Sequence, residues 1–551
     1  MSRSTQGANP RARGTIPRKP RSFRQEIVKL HREIFRRNQA RINQSVLDYT
    51  PAFRQYEREY ARAVASYQRR ARFAELDKAI ARSQILYVGD YHTLPQAQET
   101  VVDLLYRLPK QRPATLALEF VQGRHQKVLD AYMADEISET DFLEGINHQM
   151  HWVFGGWESF RRLFEVAKER GYRVVGIDSL GKGATGSSLA ARDGYAARRI
   201  ARSFKKHPEH LHVVFVGELH VAPQHLPAAV ERELHASGIA PRKVILYQNS
   251  EEIYWQLEQR GIEHETELVR IDRDQYCSMN TPPIVCQQSF LNWLDSEEEG
   301  AALDAPEENF KHYADLIASF FELDIGDALD EVELTSVVDL SFLERLRRRG
   351  DFSAADMELI EQQIVRSESL YIPRARMVYL GNLSVNHASE EATHFLRHVC
   401  SGSEEPELLV DAFYARALEE AVGFLGSKLI NHKRKCAHLP YFERTARSRS
   451  ASAQEKTLAR LVVKHARMEE GKRVRGMLEL YDSDPDMFNA LTHVLGYRLG
   501  DKLYYGLVRG QLAKSEIREL FFDSFAEEGA ALSTYLYLTA RTFGVRIPDN
   551  L

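Results

Sequence analysis

Short apolar runs alternate with amphipathic stretches between residues 84 and 280. The runs are rich in Val, Ile and aromatic residues, as in strands buried on both faces of a sheet. The predicted strands are 85–90, 115–120, 173–178, 213–218 and 243–248, with a sixth candidate at 266–272. The predicted helices between them are 96–108, 122–133, 157–170, 188–205 and 224–237. This alternation predicts an α/β fold with a mostly parallel sheet flanked by helices.

The pattern changes on both sides of this α/β domain at 84–280. Residues 1–22 are basic and lack periodicity, which predicts a disordered arm. Residues 23–83 predict helices, and a tyrosine stripe there has the spacing of a packed helix face. Residues 300–551 predict an additional all-α domain of unknown role. Its clearer helices are Asp327–Arg348, Ala354–Glu368, Glu390–Val399, Asp411–Leu429, Glu455–Lys472 and Ser515–Thr542.

The composition of the 551 residues limits the class of protein. With 43% hydrophobic and 28% charged residues, the chain is typical of a soluble protein with more than one domain. The net charge of −4 gives no general attraction to nucleic acid. Four cysteines without a CxxC pair predict reduced thiols. With no signal-like or membrane-spanning apolar run, we expect a cytoplasmic protein; the sequence allows a homodimer.

Two of the predicted strands end in similar motifs, Gly89-Asp90-Tyr91-His92 and Gly217-Glu218-Leu219-His220. In an extended backbone, positions i and i+2 point to the same side, so each motif pairs a carboxylate with an imidazole. Parallel strands bring their carboxyl ends to one edge, where α/β proteins bind ligands. We therefore expect His92 and His220 to share a site. The alternative is that these side chains only cap loops or helix starts.

Two further strands end in carboxylates, Glu119 and Asp178. A carboxylate at that edge must be paired, hydrogen-bonded or metal-bound, because burying it alone is costly. Arg192, early in the helix after Asp178, is the predicted cation. Its alternative is a surface arginine on a basic helix.

Two other motifs carry less weight. Residues 181–186 fit G-x-G-x-x-G, but they follow the third strand rather than the first, which favours a loop over a dinucleotide site. Glu391 and His394 form Glu-x-x-His on a helix that also carries His387 and His398, a spacing found in di-iron bundles. Because no second copy of the motif is evident, we prefer the interpretation that these histidines are hydrogen-bonded or exposed and bind no metal.

Taken in order, the motifs between residues 84 and 275 resemble the ChaN-like haem-binding proteins of the Tiki superfamily. That superfamily also includes erythromycin esterases, Tiki metalloproteases and TraB/PrgY proteins. The resemblance rests on residues 88–92, 116–120, 126–132, 157–163, 174–178, 192–193 and 217–221, with Pro227 beyond. The chain departs from the family at Asp90, where the family has Glu, and at Ala196, where it has Met.

The resemblance implies a site by matching position. Its residues are Asp90, His92, Glu119, Arg192, Glu218 and His220, with Asp178 beside them.

Three functions remain open for this site. The first is binding of haem or iron, with Tyr91 or the histidines on the metal, Arg192 at a propionate and Asp178 as a further cofactor-binding residue. The second is hydrolysis of an ester or peptide, with His92, His220, Glu119 and Arg192 as catalytic residues. In its metal-dependent form, Asp90, His92, Glu218 and His220 would bind Mn, Fe, Co or Zn. The third is a non-catalytic scaffold with a helical interaction module.

Overall fold

The structure is a computed structural model, and it describes most of the chain. The described residues are 22–45, 50–148, 152, 156–179, 186–297, 304–336, 340–402, 406–476, 478–481 and 484–548. The predicted arm at 1–22 and the glycine-rich stretch at 181–186 lie almost entirely outside them.

An eight-stranded sheet forms the centre of the α/β domain, in the order β1-β7-β8-β6-β2-β5-β3-β4. From β8 to β4 all neighbours are parallel, whereas β7 and β1 are antiparallel additions at one edge. The strands are β1 Arg69–Arg70, β2 Ile85–Asp90, β3 Ala114–Gln122, β4 Arg173–Asp178, β5 Leu211–Gly217, β6 Lys243–Gln248, β7 Leu268–Asp272 and β8 Gln275–Ser278. The predicted α/β fold class is thus confirmed.

Helices cover both faces of the sheet. They are α2 Pro51–Ala63, α3 Phe73–Arg82, α4 Pro95–Arg107, α5 Gln126–Met133, α6 Glu139–Gly145, α7 Trp157–Arg170, α8 Gly186–Lys206, α9 Leu226–His235 and α10 Glu251–Arg260, and α1 Phe23–Ser45 precedes them in the chain. One core contains Leu104 and Phe164, and the core on the other face contains Ile200 and Val230. Apolar side chains of β2 project from both faces of the sheet into these two cores. The sheet is therefore buried on both sides, as the continuous apolar runs predict.

The C-terminal part is mainly helical. Most of its helices surround one large core, whereas the helices at 342–349 and 354–367 pack in a separate small cluster. The helices of this part are α11 Pro283–Glu297, α12 Asp304–Phe321, α13 Phe342–Arg349, α14 Ala354–Ser367, α15 Val385–Ser401, α16 Leu409–Ile430, α17 Leu439–Thr445, α18 Ala453–Glu469, α19 Leu478–Tyr481, α20 Pro485–Val508, α21 Lys514–Phe522 and α22 Ala530–Arg541. The long helices α15, α16 and α20 lie at the centre of the large core.

This part also contains a small sheet that the sequence pattern does not predict. Its strands are β9 Glu333–Ser336, β10 Ser369–Ile372 and β11 Met377–Leu380, in the order β10-β11-β9. The helix predicted over Asp327–Arg348 is wrong at β9, which pairs with β11 more than 40 positions along the chain. That distant pairing overrides the local helical pattern.

The first helix belongs to the helical core rather than to the α/β domain. Ile27, Leu30 and Ile34 of α1 lie in one hydrophobic cluster with Ile284 of α11 and Phe310 of α12. The division of the chain at residues 280–300 therefore stays a prediction, because helices from both sides of it share a core.

Two class predictions concern cysteines and membranes. All four cysteines are free thiols, so the described fold is held without a disulfide. Within the described ranges, every helix is too short or too polar to cross a bilayer.

Candidate functional site

Adjacent strands bring the two motifs together. β2 and β5 are parallel neighbours with Asp90 level with Gly217, and β3 pairs with the other side of β5. The carboxyl ends of these three strands therefore meet at one edge of the sheet. Glu119, on β3, lies between the two histidine motifs at that edge.

Glu119 is the centre of the site. Its Oε2 accepts a hydrogen bond from the Gly217 amide at 2.5 Å, and its Oε1 pairs with Arg192 Nη2. The Arg192 Nε donates to Asp178 at 2.9 Å, so the predicted cation joins the acids of two strands. Burial opposes ionisation, but Arg192, the two histidines and the Gly217 amide together outweigh it and hold the pKa of Glu119 below its ordinary value.

His92 is held by the carboxylate of its own motif. Its Nδ1 lies 2.8 Å from Asp90 Oδ2, and Gln98 donates to the other oxygen of Asp90 at 2.5 Å. This hydrogen bond assigns the proton to Nδ1 and leaves Nε2 facing Glu119, 3.9 Å from its Oε2. Burial disfavours the imidazolium, but Asp90 outweighs burial and raises the pKa of His92.

His220 repeats this arrangement with a different partner. Its Nδ1 lies 2.7 Å from Asp193 Oδ1, and its Nε2 lies 3.8 Å from Glu119 Oε1. The Tyr56 hydroxyl donates to the second oxygen of Asp193 at 2.6 Å. Both imidazoles thus present Nε2 to one glutamate, each from its own Asp–His pair.

Glu218 and Tyr91 face other surroundings. Glu218 accepts a hydrogen bond from the Tyr60 hydroxyl at 2.9 Å, and its burial raises its pKa to about 7. Tyr91 packs against the core of the helical part. Among the described residues, the four predicted metal ligands Asp90, His92, Glu218 and His220 do not bring three donor atoms within 4.8 Å of one another.

A small pocket adjoins the centre. It has a volume of about 10 Å³, about enough for one water molecule, and is bordered by charged residues on one side and by Ile177, Val216 and Leu226 on the other. Next to His92, the rings of Phe120 and Trp152 form an aromatic wall, with the Trp152 ring 4.8 Å from the imidazole. The described part of the site therefore suits a small polar group beside an apolar surface.

The two glycines of the motifs allow this close packing. A Cβ on Gly217 would lie 3.0 Å from His92 Nε2 and 3.3 Å from Glu119 Oε2. A Cβ on Gly89 would lie 3.3 Å from the Glu218 Cα. A side chain at Gly217 would therefore push His92 away from Glu119.

Sequence reasoning missed Asp193, Tyr56 and Tyr60 as members of the site. Asp193 could have been recognised from the sequence, because it directly follows Arg192 in one of the motifs that carry the family resemblance. The tyrosine stripe of α2 is packed, as expected, but its hydroxyls also donate to Asp193 and Glu218. No local pattern indicates which distant acid a helical tyrosine reaches.

Residues 76–181 match the model of a protein family described as "Haem-binding uptake, Tiki superfamily, ChaN". The matched stretch contains Asp90, His92, Glu119 and Asp178 and ends before Arg192 and His220. The family recognised from the motifs is confirmed by this match. No curated protein and no solved structure matches the chain.

Proposed function

We propose that this chain, whose α/β domain is ChaN-like and of the Tiki superfamily, carries an acid–base centre that hydrolyses an ester or peptide bond. The observation behind the proposal is the pair of Asp-held imidazoles that face one glutamate. Perturbed pKa values and buried charges gathered at the ligand-binding edge of a sheet are features of catalytic sites.

In the proposed reaction, His92 acts as the general base. Its Nε2 takes a proton from a water molecule whose oxygen bonds to the substrate carbonyl carbon, and Asp90 stabilises the resulting imidazolium. His92 suits this role better than His220, because 20% of its side chain is exposed against 7% for His220. His220, positioned by Asp193 and carrying a proton on Nε2 as well as on Nδ1, donates the Nε2 proton to the leaving group as its bond to carbon breaks, and the proton held by His92 then replaces it.

Arg192 supplies the positive charge of the centre. It neutralises Glu119 and Asp178 and favours the negative charge that develops on the carbonyl oxygen. A hydrolase with this arrangement does not depend on a metal ion, since the arginine already occupies the place of the cation beside Glu119.

The experiment is hydrolysis of p-nitrophenyl acetate by chelator-treated protein. His92→Gln and His220→Gln should each lower kcat/KM by about 10²–10⁴-fold, the usual contribution of a general acid or base. The double variant should be little worse than either single one. His210→Gln, just before β5 at the opposite end of the sheet, is the matched control. Unchanged kcat/KM in both site variants, with unchanged thermal midpoints, would refute the proposal.

Haem binding is the second candidate. It is favoured by the similarity of residues 76–181 to a haem-binding family. The donor chemistry fits iron, because a metal-bound imidazole usually donates its other N–H to a carboxylate, as His92 does to Asp90. His92 Nε2 would hold the iron, and Phe120 and Trp152 would contact the porphyrin. Bound haem would supply redox or oxygen chemistry. The pocket of about 10 Å³ is far smaller than ordinary ligand pockets, so the porphyrin would lie against the aromatic wall.

A haem titration separates the two candidates. A Soret band that saturates at one equivalent, and that His92→Gln abolishes, would support haem binding. Ester hydrolysis by haem-free protein would support the hydrolase. A metal-dependent hydrolase would instead lose its activity after chelation and regain it with Mn, Fe, Co or Zn.

A further inference from the structure

A second cluster of ionisable side chains lies in the helical part, outside the segment that matches the family. Helices α15, α16 and α20 border an open cavity of about 320 Å³. Four carboxylates line it, Glu390 and Glu391 from α15 and Glu419 and Glu420 from α16, together with His394 of α15.

Three donor atoms of this cluster converge. One oxygen each of Glu390 and Glu420 and one nitrogen of His394 all lie within 4.8 Å of one another. All three residues are buried: Glu390 is 3% exposed, Glu420 is 4% exposed and His394 is 8% exposed. Small side-chain rotations would bring these atoms to the spacing that one ion about 2.1 Å from each donor requires.

Two of the donors lack a hydrogen-bond partner among the described residues. These are the Glu390 Oε1 and the His394 Nε2, both fully buried. Buried polar atoms are nearly always paired, so two unpaired atoms within one three-residue donor cluster point to a ligand there. The same pair distinguishes this cluster from an ordinary network of ion pairs.

The other atoms of the donors are held by neighbours. Glu391 lies 3.4 Å from His394 Nδ1, which leaves Nε2 for a ligand. Arg434 donates to Glu390 Oε2 at 2.7 Å. Both oxygens of Glu420 have partners, because Arg416 lies 2.7 Å from Oε1 and His493 lies 2.9 Å from Oε2. Such outer partners orient metal-binding side chains and fix the tautomer of a coordinating histidine.

The charges of the cluster favour a cation. Four carboxylates line the cavity with two guanidiniums, those of Arg416 and Arg434, and Arg397 adds a third just beyond the lining. The four carboxylates outnumber these three guanidiniums, so one further positive charge would balance the cluster.

Two glycines make room for the donors. A Cβ on Gly423 would lie 2.1 Å from His394 Nε2, and a Cβ on Gly496 would lie 2.3 Å from the Glu420 Cβ. Any other residue at Gly423 would fill the space in front of the imidazole.

We infer that Glu390, His394 and Glu420 bind one divalent transition-metal ion, with a coordination position open to the cavity. A set of one imidazole and two carboxylates suits Mn, Fe, Co or Zn. The site differs from the Glu-x-x-His motif in the sequence, because Glu390 supplies the ligand and Glu391 supports His394 from behind. A bound ion with an open position could activate water or hold a substrate that enters from the cavity.

The test uses the full chain, stripped with a chelator and titrated with Co²⁺ as a spectroscopic probe. We expect one equivalent of Co²⁺ with visible ligand-field bands. Glu390→Gln and His394→Asn should abolish these bands, and Glu391→Gln should weaken binding by about 10–100-fold, as loss of an outer partner does. His398→Asn, one turn along the same helix, is the matched control and should bind Co²⁺ normally.

Other variants exclude the remaining candidates. Cys436→Ser and His210→Gln remove members of the two other groups that could hold a metal, and His92→Gln alters the centre of the α/β domain. All three should keep the bands. If His394→Asn does not fold, Glu390→Gln removes one donor without changing the shape of the side chain. The inference is overturned if the wild-type chain takes up no Co²⁺, or if uptake survives Glu390→Gln.

Discussion

At the scale of single residues, the Asp–His pairs decide which nitrogen of each imidazole faces Glu119. Asp90 accepts from His92 Nδ1 and Asp193 accepts from His220 Nδ1. A neutral amide in place of either carboxylate can present its NH₂ group instead and so favour the opposite tautomer. The carboxylates therefore control both the orientation and the charge of the imidazoles.

Replacing Asp90 by Asn tests this control. The variant should lower ester hydrolysis by about 10²–10⁴-fold, because His92 would carry its proton on Nε2. Since the Asp90 carboxylate raises the pKa of His92, its loss should also move the acid limb of the pH–rate profile to lower pH. Asp90→Glu, which restores the residue usual in the family, should retain most activity. If the Asp90→Asn variant hydrolysed the ester as fast as the wild type, the Asp90–His92 pair would have no such role.

The raised pKa of Glu218 predicts that the free energy of unfolding depends on pH. Its pKa is about 7 in the folded state against an ordinary value of 4.5, so the folded chain holds more protons between these pH values. The free energy of unfolding should then fall as the pH rises through this window, by up to about 3 kcal/mol. Glu218→Gln should remove this fall and be the more stable protein at pH 8.

Thermal midpoints at pH 5, 6, 7 and 8 measure the effect. Tyr60→Phe is an informative second variant, because the hydrogen bond from Tyr60 lowers the pKa of Glu218. Its loss should shift the fall in stability to higher pH. Parallel curves for wild type and Glu218→Gln would show that Glu218 titrates normally.

The sequence could predict the acids and histidines of both motifs, with Glu119 and Asp178, because each lies within three positions of the carboxyl end of a buried strand. It could not predict their partners. Tyr56 reaches Asp193 across 137 positions, and Gln98 reaches Asp90 from the next helix. These contacts depend on how helices dock, which no local pattern encodes.

At the scale of elements, close helix packing in the C-terminal part depends on glycine. A Cβ on Gly496 of α20 would lie 2.3 Å from the Glu420 Cβ and 2.6 Å from the Ala417 carbonyl oxygen of α16. A Cβ on Gly194 of α8 would meet only Arg198, at an ordinary 3.6 Å. One substitution should therefore have opposite effects at the two positions.

Gly496→Ala should lower the free energy of unfolding by about 1–3 kcal/mol, the usual cost of overpacking. Gly194→Ala should raise it by up to about 1 kcal/mol, because alanine favours helix over glycine. Chemical denaturation of both variants measures the difference. Equal effects of the two substitutions would mean that α16 and α20 separate without cost.

Helices and strands could be predicted where their own sequence carries the hydrophobic pattern of the element. Strands β2 to β6 and helix α7 lie where the apolar runs place them, within a few residues. β8 was missed because it is a four-residue strand whose pairing with β6 depends on the whole domain. β9 was missed for the same reason, since β11 pairs with it from a distance.

At the scale of the whole molecule, helix α1 joins the two parts of the chain. Its Arg24 Nη2 lies 2.8 Å from Glu263 in the α/β domain, and its His31 Nε2 lies 2.7 Å from the Leu429 carbonyl oxygen in the helical part. Ile27 of α1 is fully buried in the helical core. Both parts therefore lose contacts if α1 leaves its place.

Ile27→Ala should lower the free energy of unfolding of the helical part by about 2–5 kcal/mol, as other large-to-small core substitutions do. Calorimetry should show the α/β domain and the helical part unfolding further apart in temperature than in the wild type. The exposed Arg36→Ala on the same helix is the control and should change little. An unchanged calorimetric profile for Ile27→Ala would place α1 outside the cooperative core.

The position of α1 also has a consequence for synthesis on the ribosome. Its partner Leu429 lies 398 positions after His31, and at about 5–20 residues per second that distance takes about 20–80 s to translate. All strands of the eight-stranded sheet emerge in the meantime, so the α/β domain can fold before α1 has its partners. During that interval the apolar face of α1 is exposed on the nascent chain, where a chaperone that binds amphipathic helices would find it.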